Sequence, residues 1–86
     1  MKKLEKIIKA FGNISRLKIL KFLKAKQSAS VTDIAQSTKC SYKAVSKHLS
    51  ILLRVDVVDR EQRMYEMHYG IATHLDHSAQ AILDLL

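Results

Sequence analysis

Leu4, Ile7, Ile8 and Phe11 recur at helical spacing while Lys2, Lys3, Lys6 and Lys9 take the other face, which predicts an amphipathic first helix ended by Gly12. Asn13 is the expected N-cap of a second helix over about 14–25, with Leu17, Leu20 and Leu23 as its stripe and Ile19 and Phe22 widening it. Gln27–Ser30 is small and polar and reads as a turn. Val31 then begins a very short strand, and Thr32 caps a third helix over about 33–38 that turns Ile34 and Ala35 inward. Thr38-Lys39-Cys40-Ser41 is the next break. A strong helix over about 42–54 follows, with Val45, Leu49, Leu52 and Leu53 on its apolar face and Ser41 as its N-cap.

Beyond that helix the period changes. Val55, Val57 and Val58, then Met64, Tyr65, Met67 and Tyr69, are residues that favour strands, and Asp59–Arg63 between them reads as the charged tip of a hairpin. Helical spacing returns at the end of the chain, with Ile71, Leu75, Ser78, Ala79, Ile82 and Leu85 or Leu86 on one side. Two short helices joined by a turn, the second one basic, make a helix-turn-helix, and the hairpin behind them makes it winged. The expected fold is therefore mainly α with a small β-hairpin wing, built as one domain over residues 1–86.

Composition agrees with that reading and narrows it. The 86 residues contain no proline and only two glycines, too few turn formers for a chain of many hairpins. A single cysteine rules out an internal disulfide and a CxxC zinc ribbon. No apolar run approaches the roughly 18–20 residues of a membrane span, and the lysine-interrupted start is no signal peptide, so a cytoplasmic domain is expected. The net charge of +7 is unevenly spread. Residues 1–26 carry nine Lys/Arg against Glu5 alone, residues 39–54 carry four against no acid, and residues 55–86 carry two against six acids. A basic first two-thirds suits a polyanionic partner, with the acidic remainder turned away. The positions of the charges favour double-stranded DNA over a membrane surface.

Two segments carry a family resemblance. Ala10-Phe11-Gly12-Asn13-Ile14-Ser15-Arg16-Leu17-Lys18-Ile19-Leu20 resembles A-L-S-D-P-T-R-L-x-I-L. Asp33-Ile34-Ala35 with Ser41-Tyr42-Lys43-Ala44-Val45-Ser46-Lys47-His48-Leu49-Ser50-Ile51-Leu52 resembles E-L-A…L-S-Q-S-T-V-S-R-H-L-x-x-L. Both are marks of the ArsR/SmtB-type winged helix-turn-helix repressors, many of which sense metals. Ile14 replaces the family proline, Asp56 the glycine after the recognition helix, and Gln62 the wing-tip glycine. Aspartate tolerates the left-handed conformation that such a turn needs.

On a recognition helix over 42–54, the core stripe leaves Tyr42, Lys43, Ser46, Lys47 and Ser50 exposed, and the first four lie near the helix start, where base edges are read. The expected DNA-binding set is Ser41, Tyr42, Lys43, Ser46, Lys47 and His48, with Arg60 and Arg63 flanking the hairpin tip. His48 lies beside the core stripe and is either a phosphate contact or a packed orienting residue. The resemblance further implies a homodimer whose terminal helices pair through Leu4, Ile7, Ile8 and Phe11 and through Leu75, Ile82 and Leu86. The family's Cys-x-Cys metal site is absent from Ser28–Asp33, and the Asp-x-His partner that His74 and His77 need is missing too. Cys40, beside Lys39 and a helix start, is read as a packed turn residue rather than a redox switch. No metal or cofactor is therefore expected, and the effector is left open. Neither a nucleophile–base arrangement nor a glycine-rich phosphate loop is present, so an enzyme has no support. The competing function is a non-regulatory winged-helix adaptor.

Overall fold

The computed structural model describes all 86 residues, Met1–Leu86. Five helices and three strands follow in the order α1 (Lys2–Phe11), α2 (Ile14–Lys26), β1 (Ala29–Ser30), α3 (Val31–Thr38), α4 (Tyr42–Arg54), β2 (Val58–Arg63), β3 (Glu66–Ile71) and α5 (His77–Leu83). Side-chain caps set the helix starts. The Asn13 side chain accepts from the Arg16 amide at 3.1 Å, and the Ser41 hydroxyl accepts from the Ala44 amide at 3.0 Å. Each satisfies an amide that the helix itself leaves without a partner.

Four elements differ from the sequence expectation. Ser30, not Thr32, caps α3 by accepting from the Asp33 amide at 3.1 Å, so the helix begins at Val31. The short strand accordingly begins two residues earlier, where Ala29 and Ser30 pair with Tyr69 and His68 of β3. That pairing is non-local and leaves no trace in the neighbouring residues. The charged stretch Asp59–Arg63 is strand rather than tip, and Met64-Tyr65 forms the turn instead. The charges suit this place, because β2 is an edge of the β1-β3-β2 sheet and charged edges resist pairing with another chain. Arg63 also lies opposite Glu66 in the register, a favourable cross-strand pair. Finally, α5 starts only at His77, where the Asp76 carboxylate accepts from both the amide and the hydroxyl of Ser78. Ile71 belongs to β3 and Leu75 to the connection.

One apolar cluster joins every helix to the sheet. Ile19, Leu20 and Leu23 of α2, Ile34 of α3 and Val45, Leu49 and Leu52 of α4 are fully buried, with Val57 and Val58 closing the base of the wing. All four residues at positive φ lie in turns. Lys39 (57°) ends α3, Asp56 (59°) makes the turn expected after α4, and Met64 (52°) opens the wing tip. Gln27 is the fourth, at φ 69° and ψ −53°. The Ser28 amide donates to the Lys26 carbonyl across it at 2.8 Å, a tight and strained γ-turn. Gly70 of β3 lies against this turn so closely that a β-carbon there would collide with the Gln27 carbonyl oxygen. Gly70→Ala is therefore expected to destabilise the fold by about 1–3 kcal/mol in urea denaturation. An unchanged midpoint would show that the γ-turn can move aside freely.

Candidate nucleic-acid interface

The interface is built on α4. Burial of Val45, Leu49 and Leu52 turns the opposite face outward, and Tyr42, Lys43 and Lys47 stand exposed on it, with Ser46 half-buried beside them. Tyr42 is 62% exposed although it is a large aromatic side chain. The Ser41 cap takes the Ala44 amide, while the amides of Tyr42 and Lys43, in the first turn, have no acceptor within the helix. Two cationic side chains, a hydroxyl, a phenol and free amides thus converge on one helix start. Such a start attracts a phosphate, and its side chains reach base edges in a major groove.

A residue outside the expected set fixes how this helix is held. Arg16, at the start of α2, donates from Nε to the Ala10 carbonyl at 2.6 Å and from Nη2 to the Lys9 carbonyl at 3.3 Å. Its Nη1 lies 3.1 Å from His48 Nδ1. One guanidinium therefore satisfies carbonyls at the end of α1 and grips the middle of α4. A fork of donors in fixed geometry can do this, and an ammonium cannot. The only sequence signal for Arg16 was its place in the segment that resembles A-L-S-D-P-T-R-L-x-I-L, and charge alone gave it no role. Of the two readings open for His48, the geometry favours the packed, orienting one. Its Nδ1 accepts from Arg16 and so carries no proton. Partial burial, then the charges of Arg16 and Lys47, hold its pKa below the ordinary 6.5.

The wing differs from its expected form. Arg60 and Arg63 do not flank a shared tip, since both lie within β2 and an odd spacing sends them to opposite faces of the hairpin. Arg63 is held by Glu61, with both Nε and Nη2 at 2.7 Å from the same carboxylate oxygen. The tip itself is Met64 and Tyr65, 88% and 94% exposed. Tyr65 and Tyr42 line one shallow cleft with Ser30, Val31 and Thr32, so the tip stands beside the start of α4 and the start of α3.

The terminal helices pack on each other within the chain. Ile7 and Phe11 are only 1% and 4% exposed, so they serve this chain's own core and are withdrawn from the expected pairing stripe. Leu4 and Ile8 remain on the surface of α1, and Leu75, Ile82 and Leu86 are half-buried. Leu85, left open beside Leu86 in the sequence reading, is fully outward. His74 and His77 are exposed, and nowhere do three or more His, Cys, Asp or Glu side chains converge as a metal site would need. The Cys40 thiol, half-buried, donates to the Thr38 carbonyl at 3.5 Å. No helix is long and apolar enough to cross a membrane.

Five helices, a three-stranded sheet and an outward basic helix define a winged helix-turn-helix DNA-binding domain. Residues 14–60 match the model of the arsR family of bacterial regulatory proteins, and the chain belongs to that family. Solved structures agree over nearly the whole chain. Reduced HlyU from Vibrio cholerae superimposes with a TM-score of 0.82 at 27% identity, covering 98% of this chain and 84% of HlyU. The homodimeric winged helix-turn-helix DNA-binding domain of a possible ArsR-family transcriptional regulator from Mycobacterium bovis gives 0.83 at 25% identity, covering 98% and 74%. The transcriptional repressor PagR of Bacillus anthracis gives 0.79 at 27% identity, covering 98% and 92%. No curated protein matches the chain significantly. The family and these neighbours are transcriptional regulators rather than enzymes.

The Arg16–His48 bond makes stability depend on pH in a definite direction. Because the folded state lowers the His48 pKa, the stability this residue supports is fully present above about pH 6.5 and is lost as pH falls below that value. His48→Gln keeps an acceptor for Arg16 but cannot titrate in this range. Its denaturation midpoint is expected to fall less than that of the parent chain between about pH 7.5 and about pH 5.5. Identical pH profiles would remove the linkage from His48.

Proposed function

We propose that this chain is a homodimeric, sequence-specific DNA-binding repressor that acts by occluding a promoter in the cytoplasm. The observation that carries the reading is the start of α4, where Ser41, Tyr42, Lys43, Ser46 and Lys47 gather around unpartnered helix amides. Lys47 and Lys43 are the base and phosphate contacts. His48 orients the helix through Arg16, and Arg60 and Arg63 are outer contacts of the wing, second in weight to the helix. Support for the repressor role comes from PagR, described as a transcriptional repressor, and support for dimerisation from the homodimeric mycobacterial domain.

The exposed part of the terminal helices suits a two-fold interface. Ile8 is 53% exposed and Leu85 is 85% exposed; Leu4 and Ile82 lie on the adjoining helices α1 and α5, and Leu85 and Leu86 lie just beyond the end of α5. A two-fold axis there gives two α4 helices to successive major grooves, about one turn or roughly 34 Å apart. Affinity lost through an effector, a partner protein or dilution of the dimer releases the promoter.

Lys47→Ala should cost about 1–3 kcal/mol on the specific site and much less on random duplex. Equal losses on both would make Lys47 a phosphate contact only and leave a sequence-blind adaptor as the better reading. Ile8→Asp changes a side chain outside the core, so the variant should stay folded yet sediment as a monomer with weakened binding. A variant that remains dimeric would place the interface elsewhere.

A further inference from the structure

The two flanks of the recognition helix are electrostatically unlike. At the N-terminal end of α3, beside Ser30, Val31 and Thr32, stands the wing tip. The wing carries three acids, Asp59, Glu61 and Glu66, against Arg60 and Arg63, and Arg63 is already bound to Glu61. At the C-terminal end of α3, roughly 12 Å away along an eight-residue helix, lies a groove of about 360 Å³. Lys18 and Lys21 of α2 and Lys39 of the helix-turn-helix turn line it, with Ser37 and Thr38 between them and Phe22 as its apolar wall. No carboxylate lines this groove, and none of its three lysines forms an ion pair. Helix α2 has no acidic residue at all. Lys39 stands in the turn two residues before Ser41, so the groove borders the turn that leads into α4.

Three exposed ammonium groups held together without counter-charge repel one another, and a row of phosphates relieves that repulsion. The exposed Ser37 hydroxyl beside them adds a neutral donor of the kind that fixes backbone register, whereas the buried Thr38 hydroxyl is spent on the Ile34 carbonyl. We propose that the Lys18–Lys21–Lys39 groove holds the sugar–phosphate backbone of duplex DNA flanking the base-reading site, and that the protein clamps DNA more strongly on its α2 side than through its wing. The proposal rests on the DNA-binding reading above. It adds a footprint that extends past the recognition helix on one flank and contributes affinity without sequence preference.

The test is the salt dependence of binding to a random-sequence duplex of about 30 base pairs, read by fluorescence anisotropy between about 50 and about 300 mM salt. The full chain is compared with Lys18→Ala/Lys21→Ala, with Lys39→Gln and with Arg60→Ala/Arg63→Ala. All of these side chains are exposed, and matched thermal melts confirm that folding is intact. The α2 double variant should lose about 0.9 in the slope of log K against log salt for each lysine in each protomer. Lys39→Gln should lose one such step in each protomer, and the wing variant less than half of what the α2 variant loses. An α2 variant with the parent slope overturns the proposal while leaving DNA binding intact, as does a wing variant that loses the larger share. Failure of the parent chain to bind duplex even at low salt overturns the DNA-binding reading itself, and this proposal with it.

Discussion

Val45, Leu49 and Leu52 of α4 are completely buried against α2, α3 and the base of the wing, and the rest of the molecule depends on that burial. Each such side chain taken from water stabilises the fold by roughly 1.5–3 kcal/mol, so the helix cannot roll about its axis without losing several kcal/mol. A helix that cannot roll has a fixed outer face. On this chain that face bears Tyr42, Lys43, Ser46 and Lys47, and its start bears the Ser41 cap and free amides. Apolar packing thereby decides which polar groups face outward, and electrostatics then acts through groups already in place.

Arg16 adds a second restraint of a different kind. Apolar packing resists rotation of α4 but is less sensitive to sliding along the core, whereas directed bonds from one guanidinium to Ala10, Lys9 and His48 resist both. The same group holds the end of α1, the helix whose outer residues Leu4 and Ile8 are open for pairing. Helix α4 and the exposed apolar side of α1 therefore share one hydrogen-bonded junction. Its weak member is His48, which must stay neutral to accept from a cation and which burial and two neighbouring cations keep neutral.

Much of this was legible in the residues, for identifiable reasons. The helix over 42–54 and its cap were read correctly because a clean apolar stripe and a serine before it are local signals. The Asn13 cap and the left-handed turn at Asp56 were equally local. What failed depended on partners distant in sequence. Ser30 pairs with His68, which pulls the short strand forward and starts α3 early. Asp59–Arg63 looked like a loop because it is charged, yet an edge strand is a natural place for charge once β3 lies beside it. Periodicity showed that Ile7 and Phe11 share a stripe with Leu4 and Ile8, but not that the stripe is wide enough to serve the core and a surface at once. Arg16 could not be given a role without knowing that His48 comes within reach of it.

The start of α4 is the surface that the proposed function assigns to DNA. The most direct measurement is a titration of the isotopically labelled chain with duplex from upstream of its own gene, followed through backbone amide chemical shifts. The largest changes are expected on Ser41, Tyr42, Lys43, Ser46 and Lys47, with α1 and α5 little affected. Changes concentrated on α1 and α5, with α4 silent, would contradict that assignment.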